Sequence, residues 1–488
     1  MPKGERGLPG RGAARGQRAS AALWLIVLIG LSAGAVAVVT VGVRRAPRPN
    51  LVLVVVDALR RDHVGVYNYP RPVTPFLDDI AQRGVVFDNA WSHAPQTLNS
   101  TAALLTGQVS PLLVRRNARP EEMWTVFRLA DQNVTLAEML AAAGYDTLGI
   151  FTNPHHAPES TFAQGMRLHR YLPGTSAAHG HALAEEVNST ALSLIGELDP
   201  SRPFFAYVHY MDVHNPYLPP EDQARLFVTV QGRDMYRNGK VDDATAPRPR
   251  DLRYMIDNYD ACIRYVDESL RDLFAMFDIA SHGRNTIFVV TSDHGDEFME
   301  HGGLGHGHTV YQELLRVPLI MHGGSVPGGL RVQNMARGID VLPTLAELAG
   351  LEPSTSSEGL SLIPLIGAAD SRGGGASASR ATTREDPRGE PVFNFAWFSG
   401  LRSIASEDFH MPLNEERVLE LYDVRSDAYD RRNVAAAHPK VVRRMRLKMH
   451  AYERHLRNVH RASQALGEDA RALDHRTVEQ LRMLGYVQ

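Results

Sequence analysis

The sequence predicts an α/β protein with a central mixed β-sheet sandwiched by helices, and three observations carry that prediction. Pro49-Asn-Leu-Val-Leu-Val-Val-Val56 is a continuous apolar, β-branched run, the pattern of a strand buried on both faces. Shorter runs of the same kind at Gly84–Phe87, Thr147–Phe151, Phe204–His209, Thr286–Thr291 and Val317–Met321 alternate with helical patterns. Those helices are expected at Thr74–Arg83, Ser100–Leu105 and Leu136–Ala143, the last capped by Thr135. Finally, 488 residues with 44% hydrophobic content suffice for one large core with a smaller appendage, and no solenoid or propeller repeat divides them.

The chain begins with a basic tail, residues 1–20, expected on the cytoplasmic side. An apolar stretch follows at 21–43, and Ala19 to Val43 carries no charge. The 21 residues Leu23–Val43 span about 31 Å as a helix, matching a bilayer core of roughly 30 Å. Five basic residues precede the stretch and three follow it, which predicts a single-pass anchor with the rest of the chain extracytoplasmic, periplasmic or extracellular. Small residues at Ala33, Gly34 and Ala35 would also suit cleavage of a signal peptide, whose apolar region is usually shorter. A catalytic domain is expected over 48–365, a flexible Gly/Ala/Ser/Arg-rich linker over 366–390, a small C-terminal α+β subdomain over 391–461 and a tail over 462–488. In the subdomain, Pro391–Phe398 and Arg417–Val424 read as strands and His438–His460 as a charged helix.

Charge excludes one class of function. The first 48 residues hold eight basic residues against Glu5, a net of +7, which leaves −10 for the remainder of a chain whose formal net charge is −3. That remainder is too acidic for general nucleic-acid binding. Cys262 is the only cysteine, so no intramolecular disulfide forms.

The residues suited to chemistry stand where strands end. Asp57 directly follows the first strand, and Thr286–Thr291 runs into Ser292-Asp293-His294-Gly295-Asp296. Ligands gather at the carboxyl ends of strands in α/β sheets, so two carboxylates and an imidazole there make a candidate divalent-metal site. Thr97 stands where a helix is expected to begin, either as a plain N-cap or as a hydroxyl activated by the helix field and a metal. His209 and His214, then His301, His306 and His308, supply imidazoles for proton transfer, and two of the five are expected to be catalytic.

In this order the segments resemble the sulfatase-like enzymes of the alkaline phosphatase superfamily. Asn50–Asp57 is similar to their opening strand and first metal ligand, and Thr97 through Leu104-Leu-Thr-Gly107 to their nucleophile segment. Asp212-Val-His214-Asn-Pro-Tyr217, Thr291-Ser-Asp293-His294-Gly295, Gly305-His306-Gly307, Asp340-Val-Leu-Pro-Thr344 and Leu421-Tyr-Asp423 continue the match over roughly residues 49–450. The resemblance implies one divalent ion held by Asp57, Thr97, Asp293 and His294. It implies Thr97, His214 and His306 as catalytic residues, with His214 and His306 at the transferred group; His209 and His308 are further candidates around the substrate.

The chain also departs from the formylglycine sulfatases. Thr97-Leu-Asn-Ser-Thr101 lacks the Cys-x-Pro-Ser-Arg context, and a threonine cannot become formylglycine. Ala58 replaces a second aspartate, and Thr152-Asn-Pro-His-His156 carries no lysine where one is expected. A threonine nucleophile resembles the phosphoryl-transferring relatives instead, and His294 favours Mn²⁺ or Zn²⁺ over Ca²⁺ or Mg²⁺. The expected function is metal-dependent hydrolysis or transfer of a phosphate ester on a small molecule, lipid headgroup or glycan. A sulfate-ester hydrolase with an unmodified nucleophile and an inactive glycan- or lipid-binding protein are the alternatives. A second ion held by His209, Asp212, His214 and His306 is a further variant.

Overall fold

Asn50–Val56 (β1) is a strand with no exposed residue, as its unbroken apolar run requires. It lies within an eight-stranded sheet whose other members are Val85–Trp91 (β2), Asp146–Phe151 (β3), Leu168–Tyr171 (β4), Phe204–Tyr210 (β5), Thr286–Thr291 (β6), Leu319–His322 (β7) and Leu330–Arg337 (β8). The spatial order is β8-β2-β7-β6-β1-β5-β3-β4. Only β7 runs antiparallel to its neighbours, so the sheet is mixed as expected. The computed structural model describes residues 47–109, 113–115, 127–174, 180–237, 240–241, 247–354, 356–370, 392–396, 401–413 and 419–464.

Alternate residues of β1 enter two different cores. Val52, Val54 and Val56 face a layer formed by Pro75–Gln82 (α1), Ala184–Ile195 (α4) and the long helix Pro249–Ala280 (α5). Along α5 the residues Tyr259, Ile263, Val266, Leu270, Leu273 and Phe277 recur at three- and four-residue steps, the spacing of one helix face. Leu51, Leu53 and Val55 point the other way, to Thr97–Thr106 (α2), Leu136–Ala142 (α3) and Val341–Leu348 (α6). Thr135 caps α3 as expected, its side chain accepting from the Glu138 N–H while Glu138 returns the bond.

Several expectations change. Residues 366–370, assigned to the linker, belong to a helix, Ile363–Asp370 (α7), because Leu365 and Ile366 bury against the second core. The rest of the expected linker, 371–390, lies outside the described residues. The strand expected at Val317 starts at Leu319, after Pro318, which has no N–H for the ladder. In the C-terminal part, Val392–Ala396 (β9), Leu401–Ala405 (β10), Phe409–Leu413 (β11) and Tyr422–Asp423 (β12) form an antiparallel sheet. The two middle strands were not foreseen, and of Arg417–Val424 only Tyr422–Asp423 is a strand, residues 414–418 being outside the described set. Pro439–Gln464 (α8) packs Val442, Met445 and Met449 against Phe393, Ile404, Met411 and Leu421.

The basic tail 1–20, the span expected at 21–43 and most of the 462–488 tail also lie outside the described residues. No helix among the described residues is long and apolar enough to cross a membrane.

Candidate active site

The parallel strands β6, β1, β5 and β3 are consecutive neighbours, so their carboxyl ends open on the same edge of the sheet. β1 runs directly into Asp57, β6 into Ser292-Asp293-His294, β3 into Thr152-Asn153, and β5 ends four residues before His214. The loops after β1 and β6 are stitched together. Ala58 takes a left-handed backbone conformation (φ 59°), strained for a residue with a Cβ, and its N–H donates to Asp293 Oδ1 at 3.2 Å. The Leu59 N–H donates to Ser292 Oγ at 2.9 Å, and the Tyr259 hydroxyl donates to the Ala58 carbonyl at 2.7 Å.

Thr97 is the first residue of α2, not its cap, a position held by Gln96. Its hydroxyl turns away from the helix, 3.4 Å from Asp57 Oδ2 and 3.2 Å from His294 Nε2. This geometry removes the plain N-cap alternative. His294 donates its Nδ1–H to the Gly295 carbonyl at 2.9 Å, which directs the Nε2 lone pair at Asp57 Oδ1 and Asp293 Oδ2, each 3.5 Å away.

This cluster is a candidate cation site. Asp57, Asp293 and His294 are all buried, and one donor atom from each lies within 4.8 Å of the others. Asp293 Oδ1 is satisfied by two backbone N–H groups, whereas Asp293 Oδ2 and Asp57 Oδ1 have no hydrogen-bond partner. Two buried carboxylates facing each other and a lone pair cost several kcal/mol unless a positive charge joins them. Burial, and then the neighbouring Asp293, push the Asp57 carboxyl well above its usual range, and burial lowers His294. A cation therefore competes with protonation of Asp57. We predict that Mn²⁺ binding releases protons and tightens as pH rises. Calorimetry in buffers of different ionisation enthalpy checks this.

A second shell of imidazoles adjoins the first. His306 donates Nδ1–H to Asp296 Oδ1 at 2.6 Å, and Tyr217 donates its hydroxyl to Asp296 Oδ2 at 2.6 Å. Burial alone would raise the Asp296 carboxyl, but His306, His214 and His294 around it hold it below the usual range. The His306 ring lies 4.3 Å from that of His294 and 4.9 Å from that of His214. Burial, then His306, lowers His214 well below the usual imidazole range, and its Nδ1–H is held by the Asn215 carbonyl at 2.7 Å. His155 and His306 are the partly exposed imidazoles here, and Gln96 is also partly exposed.

His209 and His308 are two further residues expected around the substrate. His209 is fully buried, with Nε2 at 3.7 Å from Asp57 Oδ2 and Nδ1 held by Thr152 Oγ1 at 2.8 Å, so it supports the floor beside Asp57. His308 turns to Glu297, 2.9 Å from its Oε2. His301, also among the five histidines, pairs with Glu313 at 2.7 Å. The second ion at His209, Asp212, His214 and His306 does not find its ligand set. Asp212 accepts from the Ala184 N–H at the start of α4, and burial pushes its carboxyl up to about 7. Among the described residues the grouping that forms beside the first site is His294, Asp296 and His306.

Asn153 was missed. Its Nδ2 donates to Asp57 Oδ2 at 2.9 Å and lies 3.3 Å from Thr97 Oγ1, so it holds ligand and hydroxyl together. Asn153→Ala is expected to lower activity roughly 10–100-fold with the fold intact, as steady-state rates and a thermal melt would show.

Comparison with known proteins agrees with this geometry. The sequence pattern of the family described as Sulfatase matches residues 49–351. The chain belongs to the sulfatase family. It is 23% identical over 363 residues to Delta 4,5-hexuronate-2-O-sulfatase of Bacteroides thetaiotaomicron, covering 65% of this chain and 72% of that protein. It is 23% identical over 495 residues to human Arylsulfatase K, covering 88% and 87%. Among solved structures, phosphonate monoester hydrolase of Agrobacterium radiobacter shares the fold with a TM-score of 0.63 at 20% identity, covering 84% of this chain and 96% of that one. Family members use a divalent metal, and the orphaned carboxylate oxygens at Asp57 and Asp293 fit one.

Proposed function

We propose that this family member acts on phosphate esters, as a hydrolase or transferase, through a covalent intermediate on Thr97. The carrying observation is the Thr97 hydroxyl, within 3.4 Å of Asp57 and 3.2 Å of His294 at the head of α2. Oxidation of a threonine hydroxyl gives a ketone, never the aldehyde of formylglycine, so Thr97 reacts as an unmodified alcohol. Its adduct has no second hydroxyl on the same carbon, and release requires attack at the central phosphorus or sulfur.

Asp57, Asp293, His294 and the Thr97 oxygen would hold the metal, which when bound favours the ionised Thr97 oxygen and offsets charge on the ester. A transition metal, Mn²⁺ or Zn²⁺, suits the imidazole in this set. Thr97 Oγ forms a bond to phosphorus as the bond to the leaving oxygen breaks, and the leaving oxygen takes a proton from His306. His306 fits this role better than His214. Its Nδ1–H is anchored on the Asp296 carboxylate, which fixes the ring beside His294, whereas burial disfavours the charged form of His214. Water or an alcohol then gives its proton to His306 and attacks phosphorus, freeing Thr97. We further propose that residues 21–43 anchor the chain in a membrane with the catalytic domain outside, next to headgroup and glycan esters. Protease protection in sealed vesicles tests that orientation.

The sulfate-ester reading remains the second one, and the sulfatase names of the relatives favour it. Release of nitrophenol from an aryl phosphodiester, phosphomonoester and sulfate, each with EDTA and Thr97→Ala controls, separates the readings. Metal- and Thr97-dependent cleavage of a phosphate ester supports the proposal, and cleavage of the sulfate alone overturns it.

A further inference from the structure

We propose that the exposed face of α8 is a docking surface for an anionic phospholipid bilayer. This helix carries eight lysines and arginines against the single Glu453, while elsewhere in residues 49–488 acidic residues outnumber basic ones by 53 to 36. Its core face is spent on the subdomain, with Val442, Met445 and Met449 buried. The opposite face presents Lys440, Arg443, Arg444 and Arg446, all exposed, and among the described residues none of these four has a carboxylate partner. Such charge on an otherwise acidic body selects an anionic partner.

The apolar part of the patch favours a bilayer over a soluble polyanion. Leu447 is 64% exposed and Leu419 45% exposed, whereas Leu421 and Leu456 are buried. Both line a groove of about 780 Å³ together with Ala435, Pro439, Arg443 and Arg446. Guanidinium groups beside an open apolar groove match a lipid headgroup phosphate and the upper acyl chain, whereas a sulfated glycan gives no return for exposed leucines. The face is remote in the chain from every residue assigned to the reaction, so the inference is independent of which ester is cleaved.

The test uses the full chain in nanodiscs, with Leu447→Cys carrying a polarity-sensitive dye. Cys262 is buried, so the label goes to position 447. In discs with about a third phosphatidylglycerol the emission shifts to the blue, in pure phosphatidylcholine it does not, and 1 M salt reverses the shift. Adding Arg443→Glu and Arg446→Glu lowers the docked fraction at least about tenfold and leaves turnover of a soluble aryl ester unchanged. Three results would overturn the proposal. One is equal emission in both kinds of disc at every salt concentration. Another is a shift produced by soluble dextran sulfate and not by anionic lipid, which assigns the face to a polyanionic glycan. The last is emission already blue without anionic lipid, which assigns the groove to the residues after Gln464.

Discussion

Thr97→Ala lowers turnover of the preferred ester by roughly 10⁴-fold or more, with Mn²⁺ binding weakened only modestly. The size follows from the role. Removing a covalent nucleophile leaves only the positioning and charge stabilisation of the remaining groups, and water must then attack without the fixed place that the Thr97 oxygen holds beside Asn153 and His294. Thr97→Ser should retain much more activity, since the hydroxyl survives and only the methyl is lost. A stopped assay over several hours, with metal bound throughout and unfolding excluded by calorimetry, resolves a loss of this size. A fall of less than tenfold for the alanine variant would mean that another group attacks.

Asp293→Asn is the second large effect, and it works through the metal. Asp293 Oδ1 is held by the backbone N–H groups of Ala58 and His294, so the amide retains the side chain's place and loses its charge. Oδ2, the oxygen without a partner, is the one directed into the site. The variant is expected to lower Mn²⁺ affinity at least 100-fold and to lower activity in proportion at limiting metal. It also leaves Asp57 with less negative charge beside it, so the Asp57 carboxyl falls toward its ordinary range. The sign for stability follows. Because Asp57 is raised in the folded state, the metal-free wild-type protein loses stability as pH rises above the ordinary carboxylate range. Asp293→Asn should therefore be more stable than wild type in EDTA near pH 8 and lose the stabilisation that Mn²⁺ gives the wild type. Melting temperatures with and without metal read both effects.

The central strands and their carboxylates were legible because β1 and β6 are apolar runs that empty into polar residues. β1 into Asp57 and β6 into Asp293 follow that rule, and parallel pairing of the two strands brings the carboxylates together. Asn153 obeys the same rule at the end of β3, yet attention to the absent lysine hid what stood in its place. The outer histidines were harder. His209 lies within a strand whose two faces are both buried, so periodicity could not say which way its ring points. His308 is set by its contact with Glu297, and such pairings in irregular loops leave no spacing signature. α5 went unread because its face is interrupted by buried carboxylates such as Asp260 and Asp267, whose partners Arg71, Phe76 and Leu77 lie far away in sequence. The subdomain strands β10 and β11 are short and partly polar, and their pairing comes from neighbours that no local pattern records.

The central claim, a phosphorylated Thr97, is tested most directly by acid-quenching the full chain during turnover and mapping peptides by mass spectrometry. Separate incubations with an aryl phosphate ester and an aryl sulfate are compared. A phosphoryl adduct is expected on the peptide containing Thr97 with the phosphate ester, absent in Thr97→Ala. Adduct formation from the sulfate alone, or full turnover of the phosphate ester with Thr97 never modified, would contradict it.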